Sequence, residues 1–540
     1  MNRGIAGSAT TERAGSRRKL VLTLLSSLAF LSLAAYCALG AAMITVGSAK
    51  LIPNPADNTY PESANIYSAV TAARTGHLYS PFSQPPYLLQ PYGPLYYAIT
   101  AAIARASHQD FDLVRTRFRL LSYACFILSA LIIFLICKRL RFSIVSSILA
   151  ALLFLGQPRF FTWSVTVRPD MLFLMAMLLS LLWAVQGDAL GGAGYVLGGI
   201  FAGVAILIKQ PGIAAPIAVL AILLFRKKPR AAAAYALSAM LPVALVFGGL
   251  LWRGGPFLEQ FTGLGKGSWS SLDAAHFAFD KIQDPAILLP IAIGFIGFAQ
   301  AIRAADRASQ MVAAFAVANW IVGFSALPQL GGDVNYFFPG LAGCALLLPF
   351  AMQTIRRNLH SELGFAVIIL ALISTTWHQV GTERREFMGW FGQPEKSYVA
   401  LAPFKVLSDR PFFTLHGRDP DLLDPFTNHD LELAGHWDSS PIVQNLERDD
   451  YDLVIFVDGN PWNVMNEFRG ISFVSPAIVK AINENYRVFC TTPNSASAVL
   501  EPRIRRAQIS SADLQSVLGQ PCDTKLHGVA ADLVLAPHAR

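Results

Sequence analysis

The chain is expected to be an α-helical polytopic membrane protein with about 11 transmembrane helices and a small C-terminal α/β soluble domain. Three observations predict this. It has 540 residues, of which 54% are hydrophobic and only 14% charged, against about 25% charged in ordinary soluble chains. Its apolar residues fall in runs near the length of a bilayer span. Its charge is also split: positions 1–380 hold 28 basic and 14 acidic residues, while 381–540 hold 15 basic and 21 acidic. A membrane body and a soluble tail are the simplest division, and a disordered chain or a typical cytosolic enzyme is excluded.

Apolar runs lie at 20–45, 119–137, 143–157, 170–187, 191–208, 212–226, 231–252, 285–303, 309–328, 335–354 and 362–380. The first follows Arg17, Arg18 and Lys19. At about 25 residues it reads as a retained anchor rather than a cleaved signal, leaving 1–19 as a cytoplasmic N-terminus. A twelfth run, 92–107, is short and carries Arg105. Whether it crosses decides the sidedness of everything after it, and positive charge arbitrates. If it does not cross, Lys138, Arg139, Arg141, Arg226, Lys227, Lys228, Arg230, Arg303, Arg307, Arg356 and Arg357 share the cytoplasmic face with the N-terminus. If it crosses, all of them fall outside. The first arrangement is preferred, although Arg105, Arg115, Arg117 and Arg119 then sit outside; long loops obey the rule weakly. The domains are thus 1–19, a transmembrane domain 20–380 with a large first extracytoplasmic loop 46–118, and an extracytoplasmic α/β domain 381–540. The expected location is the cell inner (plasma) membrane.

In the tail, Tyr451–Val457 has the pattern of a buried strand, Asp458-Gly459-Asn460-Pro461 a turn, 475–485 a helix and Tyr486–Cys490 a second strand. Cys37, Cys125, Cys137 and Cys344 lie in apolar runs. Cys490 and Cys522 lie in the tail, where a disulfide is chemically permitted.

Few charges remain for chemistry, and under the preferred topology the unusual ones share the outside face. Asp57 and Glu62 are the only acids between positions 13 and 109. Either suits a general base, and Glu62 after Pro61 also suits a helix N-terminus. Pro94-Leu95-Tyr96-Tyr97 suits an interfacial helix. Arg168-Pro169-Asp170 sets a cation and an anion at one surface, Lys209-Gln210 is a lone cation between apolar runs, and Asn335-Tyr336 lies in a turn on the same side. Cations at helix ends suit a phosphate, and acids suit deprotonation of a hydroxyl. Together they describe glycosyl transfer from a lipid-phosphate sugar.

These residues, in this order, resemble the GT-C glycosyltransferases, in particular bacterial relatives of the protein O-mannosyltransferases and of the lipid A aminoarabinose transferase. The matching pieces are Asp57, Tyr60-Pro61-Glu62, Gly76-His77-Leu78-Tyr79, Pro94–Tyr97, a helix read as starting at Arg119, Lys138–Arg141, Arg168-Pro169-Asp170, Lys209-Gln210 and Asn335-Tyr336. The resemblance implies a catalytic acid in the first loop and a polyprenyl-phosphate sugar donor. Many relatives carry Asp-Glu where this chain has Pro61-Glu62, so Asp57 and Glu62 both stand as the base. The expected reaction is inverting transfer to an extracytoplasmic hydroxyl on a glycan, lipid or protein. Arg168, Asp170, Lys209, Gln210, Asn335 and Tyr336 would bind the donor's phosphate and sugar. No cofactor, metal or nucleic acid is expected, a divalent cation at the acids not being indicated. The alternative is a polytopic transporter or lipid flippase, which predicts an internal repeat and midplane charges; a scaffold working through its tail is a third reading. A reporter fused after residue 107 is expected to report the outside face; a cytoplasmic signal would mean that 92–107 crosses.

Overall fold

The computed structural model describes residues 6–521, apart from 56, 60–61, 268–274, 277–278, 280–282, 329–331, 358–398, 425–426, 458–473, 492–496, 505–508 and 519–520. Ten of the eleven apolar runs are helical in it. The eleventh, 362–380, lies outside the described residues, as do Pro61, the turn Asp458–Pro461 and Cys522.

The membrane body begins with α1 (Ala6–Leu51), then α2 (Glu62–Thr75) and α3 (Pro94–Ala106). There follow α4 (Phe111–Arg139), α5 (Ile144–Leu155), α6 (Asp170–Ala184), α7 (Ala193–Ile208), α8 (Ala214–Phe225) and α9 (Pro229–Arg253). The short α10 (Phe257–Gly263) precedes α11 (Pro285–Arg303), α12 (Arg307–Ala326) and α13 (Phe338–Arg357). Among the described residues, five stretches are long and apolar enough to span by themselves; Ile144–Leu155 with Pro158–Val165 forms a sixth, bent by 55°, and four further helices are shorter.

Local chemistry sets the helix ends. Asp110 caps α4 by accepting from the Leu113 N–H at 2.7 Å. Ser143 caps α5 (3.1 Å from Ser146 N) and Asp306 caps α12 (2.8 Å from Ser309 N). The helix expected to begin at Arg119 therefore starts two turns earlier, and Arg119 sits inside it. α3 has 13 residues, about 20 Å of helix against a hydrocarbon core of about 30 Å. It packs on α2, α4 and α7.

Gly156 and Gly93 stand at close backbone approaches that need glycine. A Cβ on Gly156 would lie 2.3 Å from the Cys37 carbonyl oxygen, which lets the end of α5 press on α1. A Cβ on Gly93 would lie 2.1 Å from the Leu207 oxygen, and the Gly93 N–H donates to the Ile208 oxygen at 3.0 Å. The start of α3 is thereby tied to the end of α7.

The described residues of the tail form a five-stranded sheet in the order β2-β1-β3-β5-β4. Its strands are β1 (Val406–Ser408), β2 (Asp421–Leu422), β3 (Leu453–Val457), β4 (Tyr486–Thr491) and β5 (Ser497–Pro502). β1 pairs in parallel with β2 and β3; β5 pairs antiparallel with both β3 and β4. The expected helix at 475–485 is Pro476–Asn485. Cys490 is disulfide-bonded, while Cys37, Cys125, Cys137 and Cys344 are buried free thiols.

The tail is seated on the first loop. The Leu422 N–H donates to the Pro86 oxygen at 2.9 Å. Phe82, Tyr87 and Leu89 of the loop join one buried cluster with Leu423, Trp437 and Leu446 of the tail. From the membrane side, Gln260 of α10 accepts from Gln90 N (2.6 Å) and donates to Ser80 O (2.5 Å) and Leu88 O (3.0 Å). The loop between α2 and α3 is thus fastened from both sides. Gly93→Ala is expected to push α3 off α7 and to cost about 1–3 kcal/mol, read as earlier thermal unfolding of the purified membrane protein.

Candidate functional site

Two polar clusters meet on one backbone strip, Val165–Arg168. The first is centred on Glu62, which begins α2 and is fully buried. Its carboxylate makes a two-pronged pair with Arg119 of α4, Nε to Oε1 at 2.9 Å and Nη2 to Oε2 at 2.6 Å. It also accepts from Asn58 N (2.6 Å) and Val167 N (2.7 Å). Arg119, equally buried, spends Nη1 on the carbonyls of Leu51 (2.8 Å) and Asn54 (2.5 Å). One ion pair therefore gathers the end of α1, the start of α2, the middle of α4 and the strip before α6.

The strip has further ties. Asn58 Nδ2 donates to the Val165 oxygen and Asn65 Nδ2 to the Val167 oxygen, both at 2.8 Å. The Tyr96 hydroxyl donates to the Val167 oxygen at 3.0 Å. Tyr96 belongs to an aromatic cluster with Tyr92, Tyr97 and Phe118.

Asp57 differs from Glu62. It is only partly buried, and Ser63 donates to it through N–H (3.0 Å) and hydroxyl (2.7 Å). Loss of water around the carboxyl and the nearby Glu62 charge push its pKa up to about 6, against the opposing pull of Arg115 and the Ser63 bonds. Asp57 is thus ionised at neutral pH but closer to its protonated form than an ordinary aspartate.

The second cluster is centred on Asp170, the first residue of α6. Lys209, in the break between α7 and α8, donates from Nζ to Asp170 Oδ1 at 2.7 Å, and Asn335 Nδ2 donates to the same oxygen at 2.9 Å. Arg168 Nε lies 3.4 Å from Oδ2. Arg168 also stacks over Trp163 at 4.5 Å, and Lys209 lies over the Tyr336 ring at 4.7 Å. Asn335 Oδ1 is buried without a hydrogen-bond partner among the described residues. Two cations face one carboxylate here, and Asp333 lies near enough to act on both of them.

Of the sequence-predicted residues, Arg168, Asp170, Lys209, Asn335 and Tyr336 come together. Gln210 stands apart: its Nε2 donates to the Pro91 oxygen at 2.5 Å and the Phe261 oxygen at 3.3 Å, binding the start of α3 to α10. Asp57 and Glu62 share the first cluster but have different surroundings. Sequence reasoning missed Arg119 as the partner of Glu62 and Trp163 beneath Arg168. Asp110, a capping residue before Phe111, was the signal that Arg119 lies within a helix. Among the described residues no group of three or more His, Cys, Asp or Glu side chains is placed to hold a metal ion.

This is the GT-C fold, and the chain resembles protein O-mannosyltransferases and the lipid A aminoarabinose transferase. The family model described as "Dolichyl-phosphate-mannose-protein mannosyltransferase" matches residues 94–252. No curated protein matches the sequence. Among solved structures, ArnT from Cupriavidus metallidurans in the apo state matches at 13% identity and a TM-score of 0.53, over 86% of this chain and 97% of that one. The same protein bound to undecaprenyl phosphate matches at 12% identity and a TM-score of 0.51, with the same coverage. At such identities the likeness is one of fold.

Glu62→Gln is expected to act first on stability, because it leaves the Arg119 charge buried without its counterion. Breaking such a pair costs about 3–5 kcal/mol. A double replacement of Glu62 and Arg119 by apolar residues recovers only part of this, since Asn58 N and Val167 N lose their acceptor. Thermal unfolding of both variants checks the order; a Glu62→Gln protein as stable as wild type would contradict it.

Proposed function

We propose that the chain moves a sugar from a polyprenyl-phosphate donor to an acceptor hydroxyl on the outer face of the inner membrane, with inversion at the anomeric carbon. The observation that carries this is the division of labour between the two clusters. One holds a partly exposed carboxylate of raised pKa; the other holds two cations around one carboxylate at the ends of apolar helices. The GT-C fold, and its occurrence in a protein captured with undecaprenyl phosphate, supports a lipid-linked donor.

In the proposed reaction Asp57 takes the proton of the acceptor hydroxyl. The oxygen attacks the anomeric carbon, the bond from that carbon to the phosphate oxygen breaks, and the polyprenyl phosphate leaves as an anion. Arg168 and Lys209 stabilise the charge that gathers on the departing phosphate. Asp170 holds both cations at fixed distance. The unpartnered Asn335 Oδ1 is suited to a sugar hydroxyl, and Tyr336 walls the site beside Lys209.

Asp57 is preferred to Glu62 as the base for a physical reason. Each Glu62 oxygen already accepts two donors, among them a buried guanidinium, so neither is left free to meet an acceptor hydroxyl. Glu62 is then a positioning residue. Fixed charge in loops favours the cytoplasmic placement of the N-terminus, and the disulfide at Cys490 suits an oxidising compartment for the tail. The acceptor, whether glycan, lipid or protein, is bounded only by carrying a hydroxyl at the membrane surface.

The test is sugar transfer in membranes by variants of normal abundance. Asp57→Asn is expected to lose nearly all turnover while unfolding no earlier than wild type, since a raised carboxyl pKa means that ionised Asp57 is disfavoured in the folded state. Lys209→Ala and Arg168→Ala are each expected to lose about 10²–10³ in rate, or about 2.7–4 kcal/mol of barrier. In wild type, rate should fall as pH drops through about 6, because the base form of Asp57 is lost on protonation. Near-wild-type transfer by Asp57→Asn would overturn the role given to that residue.

A further inference from the structure

A second charged recess lies at the far ends of the helices that build the candidate site. α6 carries Asp170 at its first residue and runs 15 residues to Ala184, about 22 Å of helix. α7 runs in the opposite direction, with Tyr195 near its start and Lys209 just beyond its end. Around Ala184 and Tyr195 is a cavity of about 470 Å³, whose polar lining is Asp188, Tyr195, Arg226, Lys228, Asp306 and Arg307. It therefore opens on the membrane face opposite Asp170 and Lys209, where the loop arginines and lysines gather.

The acids of this cavity are already engaged. Asp188 Oδ1 accepts from the Tyr195 hydroxyl at 3.0 Å, and its Oδ2 pairs with Arg307. Asp306 caps α12 through Ser309. Arg226 braces the wall, giving Nε to Gln310 Oε1 at 2.7 Å and Nη2 to the Ala305 oxygen at 3.1 Å. Donor capacity is left over. Arg307 Nη1 is buried without a hydrogen-bond partner among the described residues, a costly condition for a charged donor. The Lys228 side chain is exposed at the rim and makes no hydrogen bond or ion pair among those residues. It also precedes α9, whose first turn has no side-chain cap. The N-terminus of α9 thus borders the recess and adds to its positive field, while the Asp306 carboxylate offsets that of α12.

We propose that this cavity binds a phosphate-bearing anion on the face opposite the candidate active site. The volume suits a phosphate with a small organic head, and the spare donors of Arg307 and Lys228 suit its oxygens. An anionic lipid headgroup and free inorganic phosphate share this chemistry. The site stands independently of the proposed transfer reaction and is tested without it.

The experiment uses the full-length protein, delipidated in detergent. Phosphatidylglycerol, phosphatidylcholine and inorganic phosphate are added separately, with lipid retention read by native mass spectrometry and phosphate binding by thermal shift. Lys228→Gln removes an exposed charge that holds no structural bond. Arg230→Gln removes the same charge two residues on, outside the cavity lining. Wild type is expected to retain phosphatidylglycerol over phosphatidylcholine, or to be stabilised by phosphate. Lys228→Gln should weaken that binding about five-fold, and Arg230→Gln should leave it near wild type. A response to phosphatidylglycerol alone identifies a lipid headgroup, and a response to phosphate identifies a free anion. Equal weakening by both variants, or no preference for any anion, overturns the proposal.

Discussion

The candidate site depends on one buried ion pair, Glu62 with Arg119. Neither residue is accessible to solvent, and moving two charges out of water carries a large penalty that only good geometry and full hydrogen bonding offset. Both conditions hold: Glu62 accepts four hydrogen bonds from Arg119, Asn58 and Val167, and Arg119 spends its remaining donors on carbonyls at the end of α1. Such a pair contributes little net stability beyond what apolar packing would supply. Its value is in specifying one arrangement of four chain segments, because any other leaves an uncompensated charge.

The second cluster uses charge in the opposite sense. Asp170 is outnumbered by Arg168 and Lys209. Asp333 also acts on both cations, so the formal charge of the cluster is near balance while its two cations stay close together. Aromatic faces from Trp163 and Tyr336 stand over the two cations, which moderates the repulsion between them. The two clusters thus differ in kind: the first shapes the loop, and the second gathers two cations beside aromatic faces.

Much of the fold was legible, because long apolar runs and capping residues are local signals. Ten apolar runs became helices, and the tail's strand at Leu453–Val457 and helix at Pro476–Asn485 lie within or close to where pattern placed them. Arg168, Asp170 and Lys209 of the second cluster were also legible as charges too costly to leave at helix ends without cause. The roles within the first cluster were not. Glu62 and Asp57 look alike in sequence; their difference comes from Arg119, 57 positions from Glu62, and from Val167, 105 positions away. No local pattern encodes partners at such separations. The place of Gln210 was hidden for the same reason, since its bond to the Pro91 carbonyl joins residues 119 apart.

The double fastening of the loop at 78–90 bears on the order in which the molecule is built. Gln260 holds this loop from one side, and Leu422, with the cluster around Trp437, covers it from the other. A chain emerging from its N-terminus presents the loop long before either holder exists. Phe82, Tyr87 and Leu89 must then wait, apolar and uncovered, while more than 300 further residues are made. The first segment to leave the membrane is therefore among the last to be finished, and the tail serves the membrane body as the closing piece of its assembly.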